Sequence, residues 1–467
     1  MKQFGKLNRA MEAGTISKNE ASLKSLMSKG NLKLLVLVTC LFMNFAGQAE
    51  TIRYVKLNGT GDGSSWANAA GNIQTMLNAS ASGDQVWIAG GSYLIATTLE
   101  MKNGVNVYGG FQGSESNINA RPKSDLDANG KVEPWEFTNA TILDGQKARR
   151  VLNQANAFEA ETTWDGITIT KGKNETGAGA YIRANGKLNN CIVTNNRAEY
   201  MRIGRGGGIY NDGGTVSNCT VYENTAYGYH SGSVVFDVRT EGGGVYNKGT
   251  VSNCMVFNNS SNSVNMTGGN AQAAAYGGGI YNVGIINTCC IYNNKADVNG
   301  YSKQQCFGGG ISNGGTVYYS TILNNQIVKV SASSSSREID NKIYGINYGV
   351  ICIDENSDLE QNFIRPTSFV GTAYQDAQIT ELLRADWRLK QGSQYIEVGS
   401  LAELPDWVIN GTDLAGNPRV SNGKISLGAY EFDPTASAIK LTPADNGIKI
   451  YPNPVSESFG SVAKPCV

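Results

Sequence analysis

The chain has 467 residues, too many for one ordinary hydrophobic core, so it is either several domains or a stacked array. Gly is abundant (57), Pro scarce (10) and charge sparse (17%), which excludes a disordered chain; the missing Gly-X-Y period excludes collagen. Formal net charge is zero and no basic block occurs, so nothing supports electrostatic binding to nucleic acid.

Near the N-terminus, Leu34–Ala46 is an apolar run of signal-peptide length, too short to span a bilayer core of about 30 Å comfortably. Lys29 and Lys33 supply the positive flank, and Gly47 and Ala49 the small residues of a cleavage site. Residues 1–49 are therefore expected to be a signal peptide, with Met27 an alternative start. Thr39 is too large for the residue before a lipidated Cys40. No second apolar stretch of about 18 residues follows, so the mature chain is expected to be secreted or displayed at the cell surface, without a transmembrane segment.

Residues 50–145 read as an N-terminal cap and first coils. Ala67–Ala79 places Ile73, Met76 and Leu77 at helical spacing, which predicts a short capping helix. Gln85–Ala89 and Val105–Tyr108 are strand-like. Asp125–Glu136 fits the calcium-loop pattern D-x-[DN]-x-[DN]-G-x5-E. In that pattern Asp125, Asp127 and Asn129 converge on one point, Lys131 lends its carbonyl, and Glu136 closes the shell. A structural calcium ion is the expectation; a plain polar turn is the alternative.

Residues 146–355 are dominated by a repeat. Gly206–Asn211 (GGGIYN) recurs at Gly242, Gly277 and Gly308, in steps of 36, 35 and 31 residues, within the range of solenoids. Each copy continues alike, as in GTVSNCTVYEN from Gly214, and a looser copy spans Gly177–Asn196. Apolar residues come in short alternating bursts separated by Gly, Asn and Ser. Such a coil cannot bury its own apolar face, so coils must stack, strand upon equivalent strand about 4.8 Å apart. The predicted fold class is all-β, a right-handed parallel β-helix with a short N-terminal capping helix. Equivalent residues then form ladders. Asn196, Asn224, Asn259, Asn294 and Asn325 suit a repeated corner because Asn tolerates the left-handed conformation and can bond the next amide. Cys191, Cys219, Cys254 and Cys289, with Ser320 last, fit a buried thiol ladder. Cys290, Cys306 and Cys352 leave a disulfide open.

Residues 356–434 read as C-terminal coils and a closing module, and 435–467 as a linker and a further strand. Here the chain resembles known proteins. Tyr54–Trp66, Gln85–Tyr93, Gly104–Phe111 and Thr141–Gly145 resemble the opening coils of bacterial right-handed β-helix repeat proteins. The GGGIYN repeats are similar to polymorphic outer-membrane-protein repeats. Asp386–Gly392, Thr412–Arg419 and Leu427–Phe432 resemble the choice-of-anchor module, and Lys449–Val455 the first strand of a type IX secretion sorting domain, of which only Ser456–Val467 follow. The resemblance implies a fold and an address at the cell surface, and no one activity.

Chemistry is harder to find. The acids Asp212, Glu223, Asp237, Glu241 and Asp297 share no ladder position, and the only histidine, His230, reads as a solvated loop residue. The glycine triplets open strands instead of helices and lack the Lys-Ser/Thr of a phosphate loop. Large insertions all follow the Asn corner and so project from one side, where such folds bind. They carry Tyr227, Tyr229, Tyr276 and Tyr301, candidates for contact with a glycan or a host or cell-surface protein. The expected function is binding, adhesin-like or glycan-contacting. A polysaccharide lyase or glycoside hydrolase, and a purely structural stalk, are the alternatives.

Overall fold

The computed structural model describes residues 50–434 except 127–130, 268–270, 301–302, 331–336, 341–345, 349, 354–387 and 403. One coil shows the whole plan. The chain runs through Ile209–Asp212, Thr215–Ser217, Thr220–Tyr222, Thr225–His230 and Val238–Glu241, then re-enters the first strip at Val245–Asn247. Each strand pairs in parallel with its equivalent one coil on, giving five sheets that we number I to V in that order. This is a parallel β-helix, with the right hand normal to parallel crossover connections. Among the described residues no helix is long and apolar enough to cross a membrane.

Sheets I, II and III enclose the main core. Their inward ladders, such as Ile209/Val245/Ile280, Val216/Val251/Ile286 and Val221/Val256/Ile291, are all fully buried. The first coil is closed by helix α1 (Ile73–Ala79), which starts at Asn72, whose side chain accepts from the Thr75 amide, and buries Ile73, Met76 and Leu77. The helix is shorter than the Ala67–Ala79 span read from the sequence: Ala70 instead bridges to Val55 and Thr60 as extended chain.

The Cys ladder lies where sheet II turns into III. Cys191, Cys219, Cys254 and Cys289 are fully buried and free, as are Cys290 and Cys306, so neither of these last two is in a disulfide; the Cys352 side chain lies outside the described residues. The Asn ladder lies between III and IV. Each Nδ2 and each backbone N–H donates to the next Oδ1: Asn224 to Asn259 at 3.0 Å for both, Asn259 to Asn294 likewise. The left-handed residue is not the ladder Asn but the one before it, at Asn195, Glu223, Asn258, Asn293 and Asn324. The turn is made by that exposed or half-exposed neighbour, and the ladder residue supplies the buried amide. A second amide ladder, Asn211–Asn247–Asn282, runs inside sheet I.

The glycine triplet makes the corner from V to I. Its first residue takes positive φ at Gly206, Gly242, Gly277 and Gly308. At the second, a Cβ on Gly243 would lie 2.2 Å from the carbonyl oxygen of Gly278 in the next coil, so backbone stacks on backbone there.

The insertions after the Asn corner are strands. Sheets IV and V lie face to face as a two-layer fin with a thin core of Ala273, Ala275, Ala296, Val298 and Cys306. Hydroxyls cross it: Ser261 Oγ meets Thr240 Oγ1 at 2.9 Å, and Ser263 donates to the Val238 carbonyl. The described part of the C-terminal segment, 388–434, covers the outer face of sheet III. Its Leu389, Tyr395, Val408 and Leu427 pack on the ladder Tyr222–Phe257–Tyr292. Buried Arg419 stacks 4.7 Å from the Tyr319 ring and pairs with Glu431.

Candidate functional site

The outer faces of sheets I and V meet at the glycine corner along the solenoid, and the line where their side chains touch is here called the groove. The wall on sheet I is a column of tyrosines. Tyr181, Tyr210, Tyr246 and Tyr281 are in register, with ring centroids 4.8, 4.5 and 5.1 Å apart and planes within 17° of parallel. Those separations match the spacing of neighbouring strands. The rings are therefore stacked along the axis, and only their edges and hydroxyls face outward. Burial, with the Glu241 charge adding to it, pushes the Tyr246 phenol up to about 12, so it stays a hydrogen-bond donor.

The wall on sheet V is built from the residue just before each triplet, Arg205, Glu241, Tyr276 and Phe307, with Arg239 one step outward. Arg205 and Arg239 both pair through Nε with Glu241, which is only 2% exposed. Their own side chains remain a third or more exposed. Burial works against the Arg205 cation, but the hydrogen bond to Glu241, the Glu241 charge and the neighbouring tyrosines together outweigh it and raise its pKa. The two walls touch: Arg239 donates to the Tyr281 hydroxyl at 3.5 Å, the Arg205 guanidinium lies 5.6 Å from the Tyr246 ring, and Tyr276 meets Tyr281 edge-on at 6.2 Å. Tyr276 in turn stacks on Phe307 at 5.4 Å and donates to Gln305. Beyond the tyrosine column, Asp212 is held by Arg183 and Lys248, and the Lys248 ammonium is raised by that hydrogen bond.

The structure separates the tyrosines singled out in the sequence. Tyr276 lies in the groove. Tyr227 and Tyr229 stand on the outer face of sheet IV, the far side of the fin, with Arg197 stacked 4.0 Å over Tyr227. Tyr301 lies outside the described residues. His230 is not solvated: it is 8% exposed, stacks on Phe236 at 3.7 Å and bonds the Val234 carbonyl at 2.7 Å. The sequence reading missed Arg205, Arg239, Glu241, Tyr246 and Tyr281. Aligning the copies on the triplet, and comparing the residues just before it and the Tyr two places after it, exposes both walls.

Of the calcium-loop residues, Asp127 and Asn129 lie outside the described residues; Asp125, Lys131 and Glu136 are described. Glu136 is buried and clamps the loop base, accepting from the Leu126 amide with Oε1 and from the Glu133 amide with Oε2, both at 2.8 Å. Lys123 and Phe137 close the base by an antiparallel bridge. A carboxylate oxygen has room for a cation besides one amide, so this arrangement is compatible with the twelfth-position role. Among the described residues no cluster of three or more His, Cys, Asp or Glu side chains is placed to hold a metal.

No family model and no curated protein matches the chain. Among solved structures it is similar to pectate lyase Pel9A, at 15% identity over 83% of this chain and 98% of that one, with a TM-score of 0.40. It is also similar to the pectin methylesterase from Aspergillus niger, at 12% identity over 69% of this chain and 96% of that one, with a TM-score of 0.30. At such identities the likeness is one of fold alone.

Proposed function

We propose that the protein is an exported or surface-displayed binding protein that takes an extended carbohydrate along the groove between sheets I and V. The observation that carries this reading is the ladder of phenol hydroxyls at strand spacing, Tyr181 to Tyr281, facing a second wall of guanidinium groups and ring edges. A chain of hydroxylated rings offers a hydrogen-bonding group at each similar step, and its C–H faces cover ring edges. Binding is favoured over hydrolysis or elimination because the carboxylates beside the tyrosine column, Glu241 and Asp212, are ion-paired. Glu241 sits under two arginines, and Asp212 is pulled down by Lys248 and Arg183 against its own burial, so Asp212 is not poised as a general acid. Calcium at Asp125–Glu136 is proposed as a structural ion, away from this groove. The test is a glycan array with wild type and Tyr246→Ala, run beside assays for reducing ends and unsaturated products. Retention of glycans that Tyr246→Ala loses, without product, supports the reading. Product release by the wild type, or retention indifferent to Tyr246, overturns it.

A further inference from the structure

The groove changes character along its length. In the coil of Tyr210 the opposing wall is Arg205; in the coil of Tyr246 it is Arg239 above buried Glu241. One coil on, Tyr281 faces Tyr276, and after that Ser312 stands in register beside Phe307. The rim beyond the tyrosines follows the same gradient, from Arg183, Asp212 and Lys248 to the exposed apolar Val283. On the later part of the fin the wall positions Tyr276 and Phe307 are neutral, the next position in register is the acid Asp340, and Lys303 lies four residues from Phe307 toward the fin edge. Glu241, the carboxylate beneath the two arginines, is withdrawn from solvent, whereas both guanidiniums keep exposed surface. What a ligand meets at this end is therefore cationic, and what it meets two coils on is neutral and apolar.

Resting on the reading of this groove as a carbohydrate site, we infer that its ligand is a sparsely acidic glycan: one carboxylate or sulfate at Arg205 and Arg239, followed by neutral rings along Tyr276, Phe307 and Tyr281. Glu241 fixes both guanidiniums by their Nε atoms, which turns their terminal nitrogens toward an anion, with one of those of Arg239 also reaching the Tyr281 hydroxyl at 3.5 Å. The anion also offsets the second of two positive charges that share one carboxylate. A polymer with an acid on every sugar would place charge against Tyr276 and Phe307, where no cation answers it.

The experiment is affinity electrophoresis or calorimetry with three soluble polymers: a neutral glucan, hyaluronan with one carboxylate per two sugars, and polygalacturonate with one per sugar. Wild type should prefer hyaluronan, with affinity falling as salt rises. Arg239→Gln should lose about tenfold on hyaluronan, the scale of one charge-assisted hydrogen bond, and little on the glucan. Arg239→Lys, which keeps charge without the fork, should lie between, and thermal melting checks that each variant is folded. Equal affinity for glucan and hyaluronan with Arg239 indifferent overturns the acidic ligand while leaving a carbohydrate site. Tighter binding of polygalacturonate overturns the sparse spacing. Failure of all three polymers to bind, with Tyr246→Ala also without effect on an array, removes the carbohydrate reading itself.

Discussion

Asn259→Ala tests what holds the coils in register. The Asn259 amide donates to the Val221 and Phe257 carbonyls, at 2.9 Å each, and to Asn294 Oδ1 at 3.0 Å. Its Oδ1 accepts from the Asn224 backbone N–H and from Asn224 Nδ2. Truncation leaves the Asn224 N–H buried without its acceptor, which costs about 1–3 kcal/mol. Weakened acceptance at two buried carbonyls adds about 1 kcal/mol each. The Asn224 side chain keeps its bonds to Val193 and Tyr222, so it adds little. The expected loss is about 3–5 kcal/mol, a large fraction of a typical domain's stability. Asn258→Ala is the internal control. Asn258 makes the left-handed turn (φ 53°) beside the ladder and is half-exposed, so its loss is about 1 kcal/mol of backbone preference. Urea denaturation gives the two losses, and hydrogen exchange locates them. Because a solenoid is nearly one-dimensional, protection should fall in the coils of Asn224 and Asn259 and persist near helix α1. Equal effects of the two substitutions, or an unprotected Asn224 amide in the wild type, refute the ladder as the source of register.

Three other outcomes are expected. Cys219 and Cys254 should resist alkylation until the protein unfolds, and Cys254→Ser should destabilise modestly, since Ser320 already occupies the ladder and bonds the Cys289 amide at 3.1 Å; rapid native-state labelling, read by mass spectrometry, refutes this. Calcium at millimolar concentration should raise the melting temperature of the wild type and not of Asp127→Ala, by about 2.7 kcal/mol of stability at a hundredfold excess over Kd; calorimetry showing no binding up to about ten millimolar excludes the site. Burial raises the Glu431 carboxyl despite the Arg419 charge. A raised folded-state pKa favours the protonated form, so this contribution to docking of the C-terminal segment is complete below the ordinary glutamate range and fades as pH climbs through the raised value. Protease resistance of residues 388–434 should decline over that window in the wild type and stay flat in Glu431→Gln; an unchanged slope refutes the assignment.

The β-helix was legible because its inward residues repeat: the positions of Val216, Cys219 and Val221 recur at one spacing in the following coils, with Ser320 in place of Cys in the last, and that of Ile209 precedes them by six or seven residues. Helix α1 was legible from Ile73, Met76 and Leu77 for the same reason. The fin was not. Its strands alternate inside and outside, but the inside positions are Ala226, Gly228, Ser261, Ser263 and Ala296, too small and too polar to register as an apolar period. Two sheets that pack closely need such residues, and hydropathy reads them as loop. The groove escaped for another reason. Arg205, Glu241, Tyr276 and Phe307 are chemically unlike, so no motif joins them; what joins them is register. The left-handed corner residue was displaced by one because Asn occupies both positions in most copies and only Glu223 breaks the tie.

That register has an evolutionary consequence. The glycine after each wall residue is fixed by backbone contact, and the inward neighbours by packing, but the wall residue answers to its neighbours across and along the groove. Duplicating one coil would lengthen the groove by one step and add one new letter to it, held only by the letters on either side. Recognition in this architecture is therefore written as a string, one position per turn, that drift and duplication can edit without renegotiating the fold.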